Sequence, residues 1–359
     1  MDKYGLVLAG GGAKGAYQLG AWKAMRELGI EFDAVAGVSI GSINGALIAS
    51  DSYEEAINLW NCASVDKGIN IKEELRDAEN LFSIKNFTAL VKEIVRNGGI
   101  DASPTKELIS RFIDEDKVRN SKIKFGMVTY HLSELTPLEI FIDKIPEGQL
   151  VDYLLASSKI PGISNIGPEG EWFVDGGVYD NAPIGMLRKH GYNKVIVIDI
   201  SSIKGLGHKK DMTCMNFIYI RPFDADELGA SFDFSPEMQK KRIKMGYLDT
   251  RKAFGYLLGN RYYFESDDFR NMIEKYGADT VAKLEELASE LEIERLEIYQ
   301  PYEFLQTIKK EYEIFKLELI AKGNNPNEKF YNRMLNKIPL YRSQSEYREV
   351  LETLENINI

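Results

Sequence analysis

The sequence predicts an α/β protein, a three-layer α/β/α sandwich with a mostly parallel central sheet, followed by a helical C-terminal region. Up to about residue 130, short apolar runs alternate with longer segments of helical period, which is typical of strands alternating with helices. The first two runs each end in a glycine cluster that opens a small-residue segment. Beyond residue 222 the character changes, and the segments 236–258 and 268–291 carry apolar residues at helical spacing, as at Val281, Leu284 and Leu287.

Apolar runs and turn signals place the individual elements. The predicted strands are Tyr4–Ala9, Phe32–Val38, Ile123–Tyr130, Leu138–Ile142, Glu171–Val174, Lys194–Ile200 and Asn216–Ile220. The predicted helices are Ala13–Leu28, Ile40–Ser50, Leu150–Ser158, Pro236–Leu258 and Asp268–Leu291. The polar stretch Asn260–Asp268 is the predicted boundary, so we expect an α/β domain over residues 1–260 and a helical region of unassigned role over residues 261–359.

Composition excludes several classes of protein. The 359 residues include 45 Lys and Arg against 55 Asp and Glu, and the net charge of −10 argues against a nucleic-acid partner. Cys62 and Cys214 are too few for a disulfide framework and fit no metal-ligand spacing, so we expect no metal and a reducing, cytoplasmic compartment. The apolar run Leu6–Ala9 is too short for a signal peptide, and no stretch approaches the ~20 apolar residues of a membrane span. Any membrane contact would be peripheral.

A glycine-rich loop follows the first strand. Gly10–Gly15 fits G-x-G-x-x-G and opens a helix, and Glu31 and Asp33 follow about 20 residues later, as a dinucleotide site requires. It is not a phosphate-binding P-loop, because Lys14 precedes the last glycine and no Ser or Thr follows it. Backbone N–H groups converging at a helix N-terminus form an anion hole in either case. A dinucleotide-binding oxidoreductase therefore stays an alternative.

A second glycine turn carries a candidate nucleophile. Gly37–Gly41 reads G-x-S-x-G, follows the second strand and opens a helix of small residues, which is the context of a nucleophile elbow. Glycines two positions before and after Ser39 relieve crowding in the sharp turn that exposes the serine hydroxyl.

A serine nucleophile needs a base, and two arrangements are open. The histidines are His131, His190 and His208. His190 is best explained as a cation at a helix C-terminus, whereas Ser39, Asp199 and His208 could form a triad. The alternative base is Asp175, which ends a short apolar strand before two glycines, so its carboxylate would lie at the same sheet edge as the two glycine turns.

Taken together, these blocks resemble the patatin-like phospholipase family of lipid acyl hydrolases with a Ser-Asp dyad. The oxyanion loop is similar to Gly10–Gly15, the elbow to Gly37–Gly41, and the dyad block to Asp175–Gly177, in the family's order. Residues 156–161 and 178–183 also resemble it, and there Asn181 could cap a helix with Pro183 in its first turn. The resemblance covers about residues 3–200, and more loosely extends to 254. Lys14 departs from it, since the family commonly has Arg there.

The resemblance implies the chemistry. Ser39 would attack a lipid ester and Asp175 would take its proton directly, giving an acyl-enzyme that water resolves, with no cofactor. The implied oxyanion-hole residues are Gly10, Gly11, Gly12 and Ile40. The implied supporting residues are Lys14, Gly15, Gly37, Gly41, Gly176 and Gly177. The substrate class would be phospholipids, lysophospholipids or acylglycerols.

Two further functions are compatible with these residues. An acyltransferase would use the same dyad with an alcohol in place of water, and a scaffold protein would keep the fold without turnover.

A basic cluster lies within the predicted helix Pro236–Leu258. Six basic residues lie beside apolar residues 254–258 and could contact a lipid surface, although a solvated helix face is the simpler interpretation. They are Lys240, Lys241, Arg242, Lys244, Arg251 and Lys252. The sequence assigns no oligomeric state.

Overall fold

The computed structural model describes residues 4–65, 103–131, 136–158, 173–178, 180–201, 216–321 and 354. The chain divides into two compact units, Met1–Thr250 and Arg251–Ile359. The division falls inside a helix, ten residues before the boundary expected at residue 260. His208 and Cys214 lie outside the described residues. So do residues 159–172, which include the first two residues of the predicted strand Glu171–Val174.

A seven-stranded sheet forms the centre of the first unit. Its strands are β1 (Tyr4–Leu8), β2 (Ala34–Val38), β3 (Lys124–His131), β4 (Thr136–Phe141), β5 (Phe173–Asp175), β6 (Lys194–Ile198) and β7 (Asn216–Ile220). The order across the sheet is β4-β3-β2-β1-β6-β7, and β5 also pairs with β3. The pairs among β3, β2, β1, β6 and β7 are parallel, while β4 and β5 run antiparallel to β3. The expected mostly parallel sheet is confirmed.

Helices flank this sheet. In the first unit they are α1 (Ala16–Glu27), α2 (Ile40–Ala49), α3 (Tyr53–Val65), α4 (Ser103–Phe112), α5 (Glu115–Arg119), α6 (Leu150–Ser157), α7 (Ile184–Lys189) and α8 (Pro236–Ala253), the last of which crosses the division. Residues along a strand point alternately to the two faces. Gly45 of α2 faces Leu8 and Phe125 of the sheet, whereas Leu187 of α7 reaches over Gly5 on the opposite face. The helices therefore form the two outer layers of the predicted sandwich.

Backbone geometry explains where two predicted helices end. Helix α8 stops at Ala253 instead of Leu258, because Gly255 takes φ 78° and Tyr256 donates back to the carbonyl of Arg251, which is a Schellman C-cap. The single helix predicted over Asp268–Leu291 is two helices, because Gly277 between them also takes positive φ.

The second unit has its own core. Its elements are β8 (Leu257–Leu258), β9 (Tyr263–Glu265), α9 (Ser266–Tyr276), α10 (Ala278–Glu290), β10 (Ile298–Tyr299) and α11 (Pro301–Ala321). Tyr262 and Phe264 are fully buried in it. The carboxylate of Glu285, also buried, accepts the backbone N–H groups of residues 260, 261 and 262. The polar stretch predicted as the boundary therefore begins with residues that are held against the core of this unit.

Candidate active site

Ser39 lies at the sharp turn between β2 and α2. Its backbone has φ 55° and ψ −130°, a conformation that side-chain-bearing residues rarely adopt and that costs about 1–3 kcal/mol. The Ser39 carbonyl accepts hydrogen bonds from the N–H of Ser42, at 2.8 Å, and from its hydroxyl, at 2.6 Å. The first turn of α2 therefore helps to hold the strained conformation.

The two elbow glycines are required by close backbone packing. A Cβ on Gly37 would lie 2.1 Å from the carbonyl oxygen of Gly41. A Cβ on Gly41 would lie 2.4 Å from the carbonyl oxygen of Leu8 in β1. Both separations are far below van der Waals contact, so the G-x-S-x-G spacing reflects the tight crossing of β2, α2 and β1.

A buried hydroxyl from α6 supports the elbow. Ser157 is fully buried, accepts the N–H of Ser39 at 3.0 Å and donates to the carbonyl of Val128 at 2.7 Å. It thereby connects the elbow to β3. The sequence placed Ser157 in a segment of family resemblance but assigned it no role.

Asp175 reaches Ser39 through strand register. In the parallel pair, Val38 of β2 lies beside Val128 of β3, and in the antiparallel pair the next residue, Thr129, lies opposite Asp175. Strand β5 thus enters at the carboxyl edge of the sheet and runs inward, opposite to the direction expected from the sequence. Because β5 is only three residues long, its last residue still lies beside the elbow.

The Asp175 carboxylate lies deep among protein atoms, although the residue as a whole keeps some exposure. It accepts a hydrogen bond from the Ser39 hydroxyl and one from the N–H of Gly177 at 2.8 Å. Burial raises the pKa of Asp175 from 3.8 to about 6, and the two hydrogen bonds oppose that rise. The carboxylate is therefore ionised at neutral pH and is a stronger base than an exposed aspartate.

The glycine-rich loop passes directly over the elbow. A Cβ on Gly10 would lie 3.1 Å from the Cβ of Ser39. The Gly10 N–H donates to the carbonyl of Asn181 at 3.2 Å, so it is not available to an incoming oxyanion. Gly10 was expected to donate to the oxyanion, but this hydrogen bond occupies its N–H group. Its contribution is the absence of a side chain, which lets the loop approach Ser39.

Three other N–H groups remain near the serine. Within the described part of the chain, the backbone N–H groups of Gly11, Gly12 and Ile40 have no acceptor. Gly12 takes φ 58°, which favours glycine, and Ile40 begins α2, where N–H groups lack intrahelical partners. Gly15 allows the loop to approach, because a Cβ there would lie 2.6 Å from the Ile40 side chain. Lys14 is buried within this turn.

Asn181 connects the loop to the segment after Asp175. Its side-chain amide donates to the carbonyl of Gly10 at 3.3 Å. A Cβ on Gly177 would lie 2.8 Å from the Oδ1 of Asn181. The expectation that Asn181 caps a helix is wrong. Helix α7 has Pro183 at its N-cap and no side-chain cap.

A buried amide pair fixes the loop from below. Gln18 of α1 donates to the carbonyl of Ala9 at 2.7 Å, and Asn44 of α2 donates to Gln18 and to the carbonyl of Gly15. Asn44 also accepts from the indole of Trp60. All three side chains are buried. These contacts were not predicted from the sequence, because a polar residue inside a helix does not indicate a distant backbone partner.

The histidine and dinucleotide alternatives find no support among the described residues. His131 packs edge-on against Phe173, and His190 ends α7 with Nδ1 2.9 Å from the Met186 carbonyl. Asp199 accepts hydrogen bonds from Ser201 and from the hydroxyl of Tyr219. Asp33 bonds the N–H of Tyr4 at the amino end of β1, the edge opposite the glycine loop, so it cannot meet a ribose there.

The expected basic cluster is only partly a surface. Arg242 is fully buried, whereas Lys240, Lys241 and Lys244 are exposed on the same helix. Arg251 and Lys252 belong to the second unit, where they bond Glu265 and the Asn260 carbonyl. Sequence alone could not find this, because the partners of Arg242 are backbone carbonyls, one of which, that of Ala13, lies 229 positions away.

The described ranges contain neither a cluster of metal ligands nor a membrane-spanning helix. There, no group of three or more His, Cys, Asp or Glu side chains is arranged to hold a metal ion. No helix in those ranges is long and apolar enough to cross a membrane.

Fold and site together define an α/β protein with a nucleophile elbow facing a buried carboxylate. The family model described as patatin-like phospholipase matches residues 6–188, slightly more than half of the 359-residue chain. The chain therefore belongs to the patatin-like phospholipase family.

Named relatives match part of this chain. Lysophospholipase nte1 of Aspergillus terreus is 30% identical over 55% of this chain and 12% of its own length. Patatin-like phospholipase domain-containing protein 7 of Rattus norvegicus is 27% identical over 55% of this chain and 13% of its own length. Thus the match spans about an eighth of these relatives. The crystal structure of VipD from Legionella pneumophila aligns with a TM-score of 0.42 and 15% identity, over 86% of this chain and 80% of VipD.

Proposed function

We propose that this chain is a serine acyl hydrolase that cleaves carboxylic ester bonds of lipids through an acyl-enzyme on Ser39, with Asp175 as the general base. The observation that carries the proposal is the hydrogen bond from the Ser39 hydroxyl to the Asp175 carboxylate, whose pKa is about 6. A base of that pKa is ionised at neutral pH, yet accepts a proton more readily than an exposed aspartate.

In the acylation step, Ser39 Oγ forms a bond to the ester carbonyl carbon while its proton passes to Asp175. The carbonyl oxygen becomes an oxyanion that the free N–H groups of Gly11, Gly12 and Ile40 can stabilise. Collapse of this intermediate breaks the bond to the alcohol, which leaves with the proton from Asp175. The acyl group then remains as an ester on Ser39.

In the deacylation step, water attacks the acyl-enzyme while Asp175 accepts a proton from it. The second tetrahedral intermediate uses the same N–H donors. Its collapse returns the proton to Ser39 Oγ and releases the carboxylic acid. One carboxylate therefore serves both half-reactions, and no imidazole is required.

The names of the relatives favour a lipid substrate, in particular a lysophospholipid. The half-buried Phe234 stacks on the buried Trp60 beside the glycine loop, with ring centroids 6.1 Å apart, and the half-buried Ile40 side chain meets the same loop at Gly15. These apolar groups suit an acyl chain better than a polar substituent. The proposed substrate class also includes phospholipids and acylglycerols. We further propose that the protein contacts the lipid surface peripherally.

Two experiments test this function. Purified protein is incubated with lysophospholipid, diacyl phospholipid and medium-chain acylglycerol, and fatty-acid release is measured for wild type and Ser39→Ala. The proposal expects release only by wild type; no release from any ester would favour the scaffold alternative. Adding an alcohol acceptor then separates hydrolysis from acyl transfer, since a transferase would form a new ester in place of free acid.

A further inference from the structure

Arg242 stands out among the buried polar side chains. It is fully buried, and its guanidinium donates to the carbonyls of Leu228, Ala230 and Asp233 at 2.7, 2.9 and 2.5 Å. It also donates to the carbonyl of Ala13 at 3.1 Å. Burying a cation is costly unless its donors are satisfied. A planar fork with five N–H groups is suited to satisfying several carbonyls at once.

These carbonyls belong to two segments far apart in the chain. One is the loop 228–233, and the other is the glycine turn that begins at Gly12. The loop returns a bond, because the Ser231 carbonyl accepts the N–H of Ala13 at 2.7 Å. The same oxygen would lie 2.3 Å from a Cβ on Gly12. The loop therefore lies directly against the residue whose N–H we assign to the oxyanion hole.

Arg242 is presented from a firmly anchored helix. Helix α8 crosses α1 in near contact: a Cβ on Gly20 would lie 1.8 Å from the carbonyl of Ile243, and one on Gly246 would lie 2.0 Å from that of Tyr17. The Tyr17 hydroxyl also donates to the Asp249 carboxylate at 2.8 Å. The backbone of Arg242 is thus held in place by helix packing, and its guanidinium bonds both the loop and the glycine turn.

We infer that Arg242 is a positioning residue for the oxyanion hole, which fixes the glycine turn so that the N–H groups of Gly11 and Gly12 point at the reacting oxygen. This inference rests on the proposed function. Arg242 itself gains or loses no proton in the reaction and touches no substrate. Its effect acts through geometry, since a donor displaced from 2.7–3.1 Å loses much of its value in the transition state.

The test uses Arg242→Lys, which keeps the positive charge but cannot bridge four carbonyls. Acylation of Ser39 by a p-nitrophenyl ester is measured in single turnover with excess enzyme, per folded protein. We expect the acylation rate constant to fall roughly 10- to 100-fold. The enzyme concentration that gives half the maximal acylation rate should stay unchanged, because ester binding is not altered. The apparent pKa of the acylation rate should also stay near 6, because Asp175 is not altered.

Met245→Ala is the matched control, since Met245 is fully buried on the same helix and contributes to stability. It should lower the thermal midpoint while leaving the rate per folded protein near that of wild type. Should Arg242→Lys not fold, Leu228→Ala loosens the same loop by removing its buried side chain beside the carbonyl that Arg242 bonds, and a smaller fall in rate is expected.

The outcomes separate the two claims. A wild-type rate per folded protein in Arg242→Lys, or in Leu228→Ala where lysine prevents folding, overturns the role of Arg242 and leaves the proposed function standing. A fall no larger than that of Met245→Ala does the same. If wild type forms no acyl-enzyme at all, both the function and this inference are overturned.

Discussion

Thr129 of β3 and Asp175 of β5 are cross-strand partners, and this pairing brings the Asp175 carboxylate to the Ser39 hydroxyl. The two members of the proposed dyad are far apart in sequence, yet Asp175 pairs with β3 directly and Ser39 follows Val38, which pairs with Val128 of β3. Their separation is therefore set by sheet register and not by flexible loops.

The first prediction concerns Asp175→Asn, which preserves shape but cannot accept the serine proton. We expect kcat to fall about 10²- to 10⁴-fold with a nearly unchanged KM, because general-base catalysis is worth that much. Steady-state kinetics on a soluble ester measure it. Activity within threefold of wild type would show that some other group removes the proton.

The second prediction is the pH dependence of kcat/KM. Asp175 must be ionised to act as the base and its pKa is about 6, so activity should rise as pH increases through 6 and level off above 7. The profile is measured with a non-ionising ester, so that kcat/KM reports the ionisation of the free enzyme. A midpoint near 4 would indicate that the carboxylate is solvated and unperturbed.

The third prediction is that the dyad lowers stability at neutral pH. The folded-state pKa of Asp175 is raised to about 6 from 3.8, so the native state binds more protons than the unfolded state between those values. Ionisation therefore costs stability as pH rises through 6, by about 3 kcal/mol for a shift of about two units. Asp175→Asn should be more stable than wild type at pH 7.5 but not below pH 4.

Denaturant unfolding of both proteins at the two pH values measures this difference. An equal difference at both pH values would mean that proton binding to Asp175 does not contribute to it.

The fourth prediction concerns Ser157, which accepts the N–H of Ser39 and donates to Val128. Ser157→Ala leaves two buried backbone groups unpaired, so we expect a loss of about 1–3 kcal/mol in unfolding free energy and a lower kcat. Ser158→Ala is the control, because the Ser158 hydroxyl bonds only the Leu154 carbonyl within α6 and its loss should change neither quantity much. Equal effects of the two substitutions would contradict a specific role of Ser157 at the elbow.

The sequence predicted the strands and the glycine turns well, because backbone constraints leave local signals. Gly37 and Gly41 are fixed by contacts below 2.5 Å, and no other residue fits there. The position of Asp175 was predicted at the correct edge with the wrong strand direction, since a three-residue strand carries no signal of its pairing.

The residues that brace the site could not be predicted. Asn181 and Arg242 bond backbone carbonyls that lie 171 and 229 positions away along the chain. Every residue type offers such a carbonyl, so the partner leaves no mark in the sequence. Arg242 even looked like part of a basic surface, because Lys240, Lys241 and Lys244 stand beside it in the sequence.

The central claim is that Ser39 is a nucleophile activated by Asp175 beside an oxyanion hole. The most direct measurement is the rate of covalent labelling by a fluorophosphonate lipid analogue, with the modified residue located by peptide mass spectrometry, in wild type, Ser39→Ala and Asp175→Asn. Wild type should carry one adduct on Ser39, Ser39→Ala none, and Asp175→Asn an adduct that forms much more slowly. Labelling of wild type no faster than of Ser39→Ala, or an adduct on another residue, would contradict the account.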